Sequence, residues 1–290
     1  MHPHSLYRLA SKVYNTPHLI TPESFNVVLD YFERRNSSGF RLDYLDDIAE
    51  NDQETSMEDD SSPVVNGIGV LRIDGSLTYK PVLTMCGEVG TSYQSIVDQV
   101  EDMAEAGAKT IIMEVTSGGG EASHVFQTCD DIRSICDANG IELIGYADTM
   151  ACSAAYALIS VCDVVIANPS ATIGSIGCVV ALLDTSKAME QAGLKRIFVT
   201  SGESKVPFAE DGSFKKSFLE DIQSDVDRLN AEFAAHVSKH TGLDSKTITD
   251  MQAKCFNAEE AVKRGLCNAV MTNSEFVRFV SEHISQKEIQ

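Results

Sequence analysis

Apolar positions recur along this chain with two different periods. Between Pro22 and Arg35, Phe25, Val28, Leu29 and Phe32 fall at helical spacing, and the polar run from Asn36 to Ser38 with Gly39 ends the predicted helix. A strand is predicted at Gly67–Ile73, where Val70, Leu71 and Ile73 are apolar and Asp74-Gly75 supplies a turn. Tyr93–Glu105 reads as a helix with Ile96, Val97, Val100 and Met103 on one face. A strand (Thr110–Val115), a glycine turn (Ser117–Gly120) and a helix (Glu121–Ala138) follow, then a strand (Ile141–Tyr146) and a helix (Cys152–Val161). Further strands are expected at Val164–Ala167, Val179–Leu183 and Arg196–Thr200, with a helix between the last two. The C-terminal part reads as helical, with a long amphipathic run from Ser213 to His240 and a short helix at Asn257–Gly265. Strands alternating with helices predict an α/β fold around a largely parallel sheet.

The pattern divides the chain into an N-terminal helical appendage (1–42), a flexible linker (43–63), one main domain (64–280) and a short tail (281–290). The linker carries nine acidic residues between Asp43 and Asp60 and few apolar ones, too few to offset its ordering entropy. A sharper alternative makes this stretch a docking or self-cleavage segment. Across 290 residues the formal net charge is −20, which opposes phosphate backbones and anionic lipid surfaces and argues against nucleic-acid or membrane binding. The eight cysteines are scattered in apolar stretches without a CxxC pair, and read as reduced core residues. Neither disulfides nor a metal is expected. No apolar run approaches the roughly 20 residues of a membrane span, so a cytoplasmic protein is the expectation.

Four short segments at predicted strand ends hold the candidate chemistry. Thr116-Ser117-Gly118-Gly119-Gly120 can turn backbone N–H groups toward a cavity, where they would bind an anion or a developing oxyanion. A phosphate loop competes, but no Gly-Lys-Ser/Thr follows. Met150-Ala151-Cys152-Ser153-Ala154-Ala155-Tyr156 crowds small residues around one serine at a predicted helix start. Ser153 there is a nucleophile, a helix cap or a residue packed between helices, and Cys152 is a neighbouring competitor. In Ala171-Thr172-Ile173-Gly174-Ser175-Ile176-Gly177 two glycines bracket Ser175, a turn in its simplest reading. Thr200-Ser201-Gly202-Glu203-Ser204-Lys205 places a lysine where it is either solvated or, once desolvated, a general base. Of the seven histidines only His124 lies near a glycine turn, and a surface or packing role suits it better than a Ser-His pair.

Taken in order, Ser-Gly-Gly-Gly, Cys-Ser-Ala-Ala-Tyr, Thr-Ile-Gly-Ser-Ile-Gly and Ser-Gly-Glu-Ser-Lys resemble the signal peptide peptidase A family of Ser/Lys-dyad serine peptidases. The likeness runs from about Val65 to Val270 and includes Phe256-Asn257-Ala258-Glu259-Glu260-Ala261. Met150–Tyr156 and the Leu19–Phe25 stretch resemble its phage branch, the lambda-type capsid assembly (prohead) proteases. The resemblance implies a ClpP/crotonase-like α/β fold and a serine endopeptidase acting in phage head maturation, without a cofactor. Its substrates would be scaffold, capsid or portal proteins, or the chain itself. It implies Ser153 as nucleophile, Lys205 as general base, Gly119 and Gly120 as oxyanion donors, Ser175 as the hydroxyl orienting the lysine, and a homo-oligomer whose subunit edge helps to bury the site. The dyad works only if the Lys205 amine is neutral near pH 7, which apolar walls would bring about. Gly118 stands where the family usually has proline, and Ala154-Ala155 where it usually has two glycines. Alternatives are a bacterial cytosolic peptidase of the same family, a crotonase-type acyl-CoA enzyme, and a non-catalytic assembly factor that keeps the fold. Few residues follow Val270, so a separately encoded scaffold is expected.

Overall fold

Three long strands organise the molecule, and the computed structural model describes them within residues 13–37, 64–84, 87–88, 90–195 and 197–287. The predicted acidic linker at 43–63 lies outside the described residues. In chain order the described elements begin with β1 (Pro17–Ile20), α1 (Pro22–Ser37), β2 (Val64–Val65) and β3 (Ile68–Thr78). A small hairpin of β4 (Leu83–Thr84) and β5 (Gly87–Glu88) precedes β6 (Thr91–Ser92) and α2 (Tyr93–Glu105). Then come β7 (Thr110–Glu121), α3 (Val125–Asn139), β8 (Glu142–Cys152), α4 (Ala154–Ile159), β9 (Val164–Ala167), β10 (Thr172–Gly174), β11 (Val179–Val180) and α5 (Ser186–Gln191). After a 3-10 turn at Glu203–Lys205 the chain forms α6 (Lys216–Thr241), α7 (Ser245–Asp250), β12 (Cys255–Asn257), α8 (Ala258–Lys263), β13 (Ala269–Val270) and α9 (Asn273–Lys287). Among the described residues no helix is long and apolar enough to cross a membrane.

β7 is the spine. It pairs in parallel with β3 on one side and β8 on the other, and β8 continues in parallel to β9 and β10. This is the predicted α/β architecture with a mostly parallel sheet, and both faces of it are covered. Alternation along β8 and β9 divides the covering. Leu143, Ala147, Val165 and Ala167 join the main core, while Ile144, Tyr146 and Ile166 form a second cluster with Phe276 and Val280 of α9. Tyr146 Oη donates to the Asn273 side-chain oxygen at 2.8 Å and fixes the start of that helix. Residues 281–287, expected as a tail, therefore continue a packed helix.

Two register shifts shape the upper part of the sheet. Val115 lies opposite Ala147, but Thr116 lies opposite Met150, so β8 carries two extra residues, Asp148 and Thr149. Asp74 lies opposite Thr116 and Ser76 opposite Gly119, so β3 passes through Asp74-Gly75 and does not stop there as expected. Above the last β7–β8 pair, Ser117 with Ala151, the two strands part. β10 follows β8, and β1 enters the fork antiparallel to β7, with His18, Leu19 and Ile20 opposite Glu121, Gly120 and Gly119. On its other edge β1 pairs with β11. The N-terminal segment is thus built into the main sheet, where a separate helical appendage was expected. Leu19 is wholly buried in the main core, a contribution of about 1.5–3 kcal/mol toward holding β1 in place.

The segment from 181 to 205 behaves differently. The strand expected at Arg196–Thr200 is absent: residues 197–200 are unpaired by any strand and exposed, Val199 completely so. Leu183, Leu194, Ile197 and Phe198 are exposed beside it. High β-propensity found no sheet edge to join within one copy of the chain.

Candidate active site

The fork between β7 and β8 is where a parallel sheet opens a crevice at the carboxyl ends of its strands. Ser153 stands there, between the end of β8 and the start of α4, with φ 58° and ψ −121°. A side chain other than glycine rarely adopts such backbone angles, and their cost is of order 1–3 kcal/mol. Its N–H donates to Gly174 O at 2.8 Å and its C=O accepts from Ala157 N at 3.0 Å, so the turn is held from both sides. Ser153 is 0% exposed, and its Oγ has no hydrogen-bond partner among the described residues. A buried hydroxyl without a protein partner costs free energy unless water or a ligand supplies one. The helix-cap alternative fails, because the Ser153 side chain makes no capping bond. Ala154 and Ala155 are fully buried and keep the helix start closely packed.

The glycine segment reads differently in three dimensions. Gly118, Gly119 and Gly120 continue β7 and do not form a turn. Crowding explains the absence of side chains: a Cβ at Gly120 would lie 1.9 Å from Leu77 O, and one at Gly119 would lie 2.1 Å from Leu19 O and 3.0 Å from Ser153 Cβ. Gly119 also has φ 100°, which glycine alone adopts readily. Its N–H donates to Ser117 Oγ at 3.1 Å, while that hydroxyl donates to Gly75 O at 2.6 Å. In this conformation the Gly119 N–H is therefore engaged by Ser117. Ser117, buried and part of the quoted motif, was passed over as a functional residue because its neighbours carried the glycine signal.

Ser175 is brought to the same place. It follows Gly174, the acceptor of the Ser153 N–H, and has φ 54° with its own N–H donating to Lys254 O at 2.9 Å. Gly174 sits opposite Cys152 on one side and Cys255 on the other. A hydrogen bond with Cys152, followed by one with Ser175, lowers the Cys255 thiol to about 7 against the opposing effect of burial. Cys152 is driven the other way, by the same Cys255 contact and then by burial, and its Sγ faces Thr172 O at 3.4 Å. That orientation keeps Cys152 a protonated thiol and out of competition with Ser153.

Lys205 makes no hydrogen bond with Ser153, whose Oγ has no partner among the described residues. It lies exposed in the 3-10 turn at the end of the 181–205 segment, where its N–H donates to Gly202 O at 3.1 Å. Among the described residues, 197–200 pair with no strand, so the segment is not tied to the sheet there. His124 stacks on Tyr79 with ring centroids 3.7 Å apart and makes no pair with Ser153.

Sequence comparison with known proteins gives the family. The sequence profile of peptidase family S49 matches residues 137–287, just over half of the 290, a stretch that contains Ser153, Ser175 and Lys205. The chain is 26% identical over 74% of its length to the head-tail preconnector protein GP5 of Enterobacteria phage P21, and this match spans 42% of that relative. It is 24% identical over 98% of its length to the capsid assembly protease C of Escherichia phage lambda, spanning 67% of that relative.

Proposed function

Because the chain belongs to peptidase family S49, we propose that it is a serine endopeptidase of phage head maturation that attacks peptide carbonyls with Ser153. The observation that carries the reading is the strained, buried and unpartnered Ser153 at a strand-to-helix turn beside Gly119. The names of the two phage relatives support substrates among capsid-assembly proteins: scaffold, capsid or portal. Cleavage would take place in the host cytoplasm within the assembling head.

The chemistry follows the general logic of an activated serine. Ser153 Oγ adds to the scissile carbonyl carbon, and its proton passes to the neutral Lys205 amine. Backbone N–H groups at Gly119, Gly120 and the start of α4 receive the negative oxygen once substrate displaces the Ser117 contact. Collapse of the tetrahedral intermediate expels the amine, which takes the proton from Lys205. Water then hydrolyses the acyl-serine by the same steps. Ser175, next to the Gly174 carbonyl that holds Ser153, orients the lysine.

Lys205 serves this scheme only after the 181–205 segment packs against another surface. A second copy of the chain is the proposed surface. Exposed Leu183, Leu194, Ile197, Phe198 and Val199 on the segment that carries the lysine support a homo-oligomer. The test is co-expression with the major capsid and scaffold proteins, comparing the parent with Ser153→Ala and Lys205→Ala by intact mass. Defined products from the parent alone are expected, with the lysine variant slower by about 10²–10⁴-fold. Equal cleavage by the variants overturns the dyad, and assembly without any cleavage overturns the peptidase.

A further inference from the structure

β1 lies against Gly119, the glycine that also adjoins Ser153. It is an extended segment with a partner strand on each edge, Gly119–Glu121 of β7 and Val179–Val180 of β11, both antiparallel to it. The Leu19 carbonyl and the Ser153 side chain flank the same glycine: the Gly119 Cβ position is 3.0 Å from the Leu19 carbonyl carbon and 3.0 Å from Ser153 Cβ. Past it, Thr21 N–H donates to Gly118 O at 2.9 Å, and the Thr21 and Ser24 hydroxyls close over Gly118. Ser153 beneath is sealed from solvent. Extended peptides are commonly bound by adding a strand to a sheet, with backbone bonds for affinity and alternate side chains in pockets for specificity.

Resting on the reading of Ser153 as nucleophile, we infer that β1 is an internal occupant of the substrate groove. It holds the site shut and must leave the fork before another polypeptide is cleaved. It also reports what the groove accepts: an extended chain in antiparallel register with Gly119–Glu121, carrying an aliphatic side chain at the place of Leu19. That side chain is fully buried, whereas the backbone around it makes the contacts any sequence can make.

The test uses the full chain with Ser153→Ala, so that binding is read without turnover. The probe is a fluorescein-labelled synthetic peptide of residues 13–24. Pro17→Cys with Val180→Cys places two cysteines at directly opposed antiparallel positions, a separation that a disulfide spans. Leu19→Asp releases the strand instead. By fluorescence anisotropy, Leu19→Asp binds the peptide at least about tenfold more tightly than the parent, and the oxidised tether at least about tenfold more weakly than its reduced form. A peptide carrying aspartate at the Leu19 position binds at least about tenfold more weakly to every form. Equal binding by oxidised and reduced tether, or no binding by any form, overturns the inference. With Cys86, Cys178 and Cys255 replaced by serine in both, the tethered pair differ only in one bond, so a folding defect in Leu19→Asp leaves that comparison decisive. Repeating the series with Ser153 intact separates the two readings. With the capsid and scaffold proteins as substrates, tether-dependent peptide binding without their cleavage retains the occupant and removes the peptidase, while cleavage of them indifferent to the tether removes the occupant and retains the peptidase.

Discussion

The surroundings of Ser153 and the segment that carries Lys205 are built on opposite principles. Around Ser153 each neighbour is constrained: the backbone is bonded to β10, the adjoining alanines are buried, and the glycines of β7 are pressed between Leu19 and Leu77. Around Lys205 the constraints are fewer: Val206 is buried and Phe198 stacks on Phe208, but Leu183, Leu194, Ile197 and Val199 face outward. Ser153 is organised by the fold of a single chain, whereas the segment that carries Lys205 leaves its apolar side chains unburied within one copy. Under the proposed dyad, activity would depend on assembly.

Paired glycine substitutions put the largest strain on this contrast. Gly119→Ala meets backbone at 2.1 Å and a positive φ, and should lower stability by about 1–3 kcal/mol while weakening the docking of β1. Gly202→Ala meets nothing closer than Lys205 Cγ at 3.7 Å and should change stability by less than about 0.5 kcal/mol. Thermal melts of the two variants check this, and equal losses would erase the distinction between the regions. An intermediate effect is expected from Phe198→Asp with Val199→Asp. Monomer melting should move by less than about 0.5 kcal/mol, while self-association in sedimentation velocity is lost. The smallest effect concerns Cys255, on the constrained side. Its thiol is lowered to about 7, so the thiolate fraction and alkylation by iodoacetamide rise as pH rises through 7. Cys129 and Cys162, raised mainly by burial, should stay unreactive over the same range. Peptide-level mass spectrometry across pH 6–9 reads all three.

Local pattern exposed the parts of this molecule that local forces decide. Thr110–Val115 and Val164–Ala167 were legible as strands because continuous apolar runs mark strands covered on both faces. α2 was legible from its periodicity, with Ile96, Val100 and Met103 all buried. Small neighbours and motif order single out Ser153 in the sequence, while its positive φ and complete burial are visible only in the fold. The misreadings share a cause in distant pairing. Gly118–Gly120 has turn composition, yet Leu77 and Leu19 on either side make it strand. Pro17–Ile20 is too short to show alternation, and its partners lie about a hundred residues away in β7. Residues 197–200 have strand composition but no partner strand in one copy, so propensity alone misled. The C-terminal helix α9 was missed although Phe276, Phe279 and Val280 repeat at helical spacing, because its docking face on Tyr146 and Ile166 is visible only in the folded sheet.

The two surplus residues in β8 set the phase of the chemistry. Side chains on a strand alternate with period two, so an even surplus leaves Ala151 and Cys152 on the faces they would otherwise occupy, while advancing the strand end past β7. A single extra residue would keep those faces only through a bulge that sets two consecutive side chains on one side of the sheet. The length of the Asp148-Thr149 insertion thus sets how far Ser153 stands beyond the end of the β7 pairing.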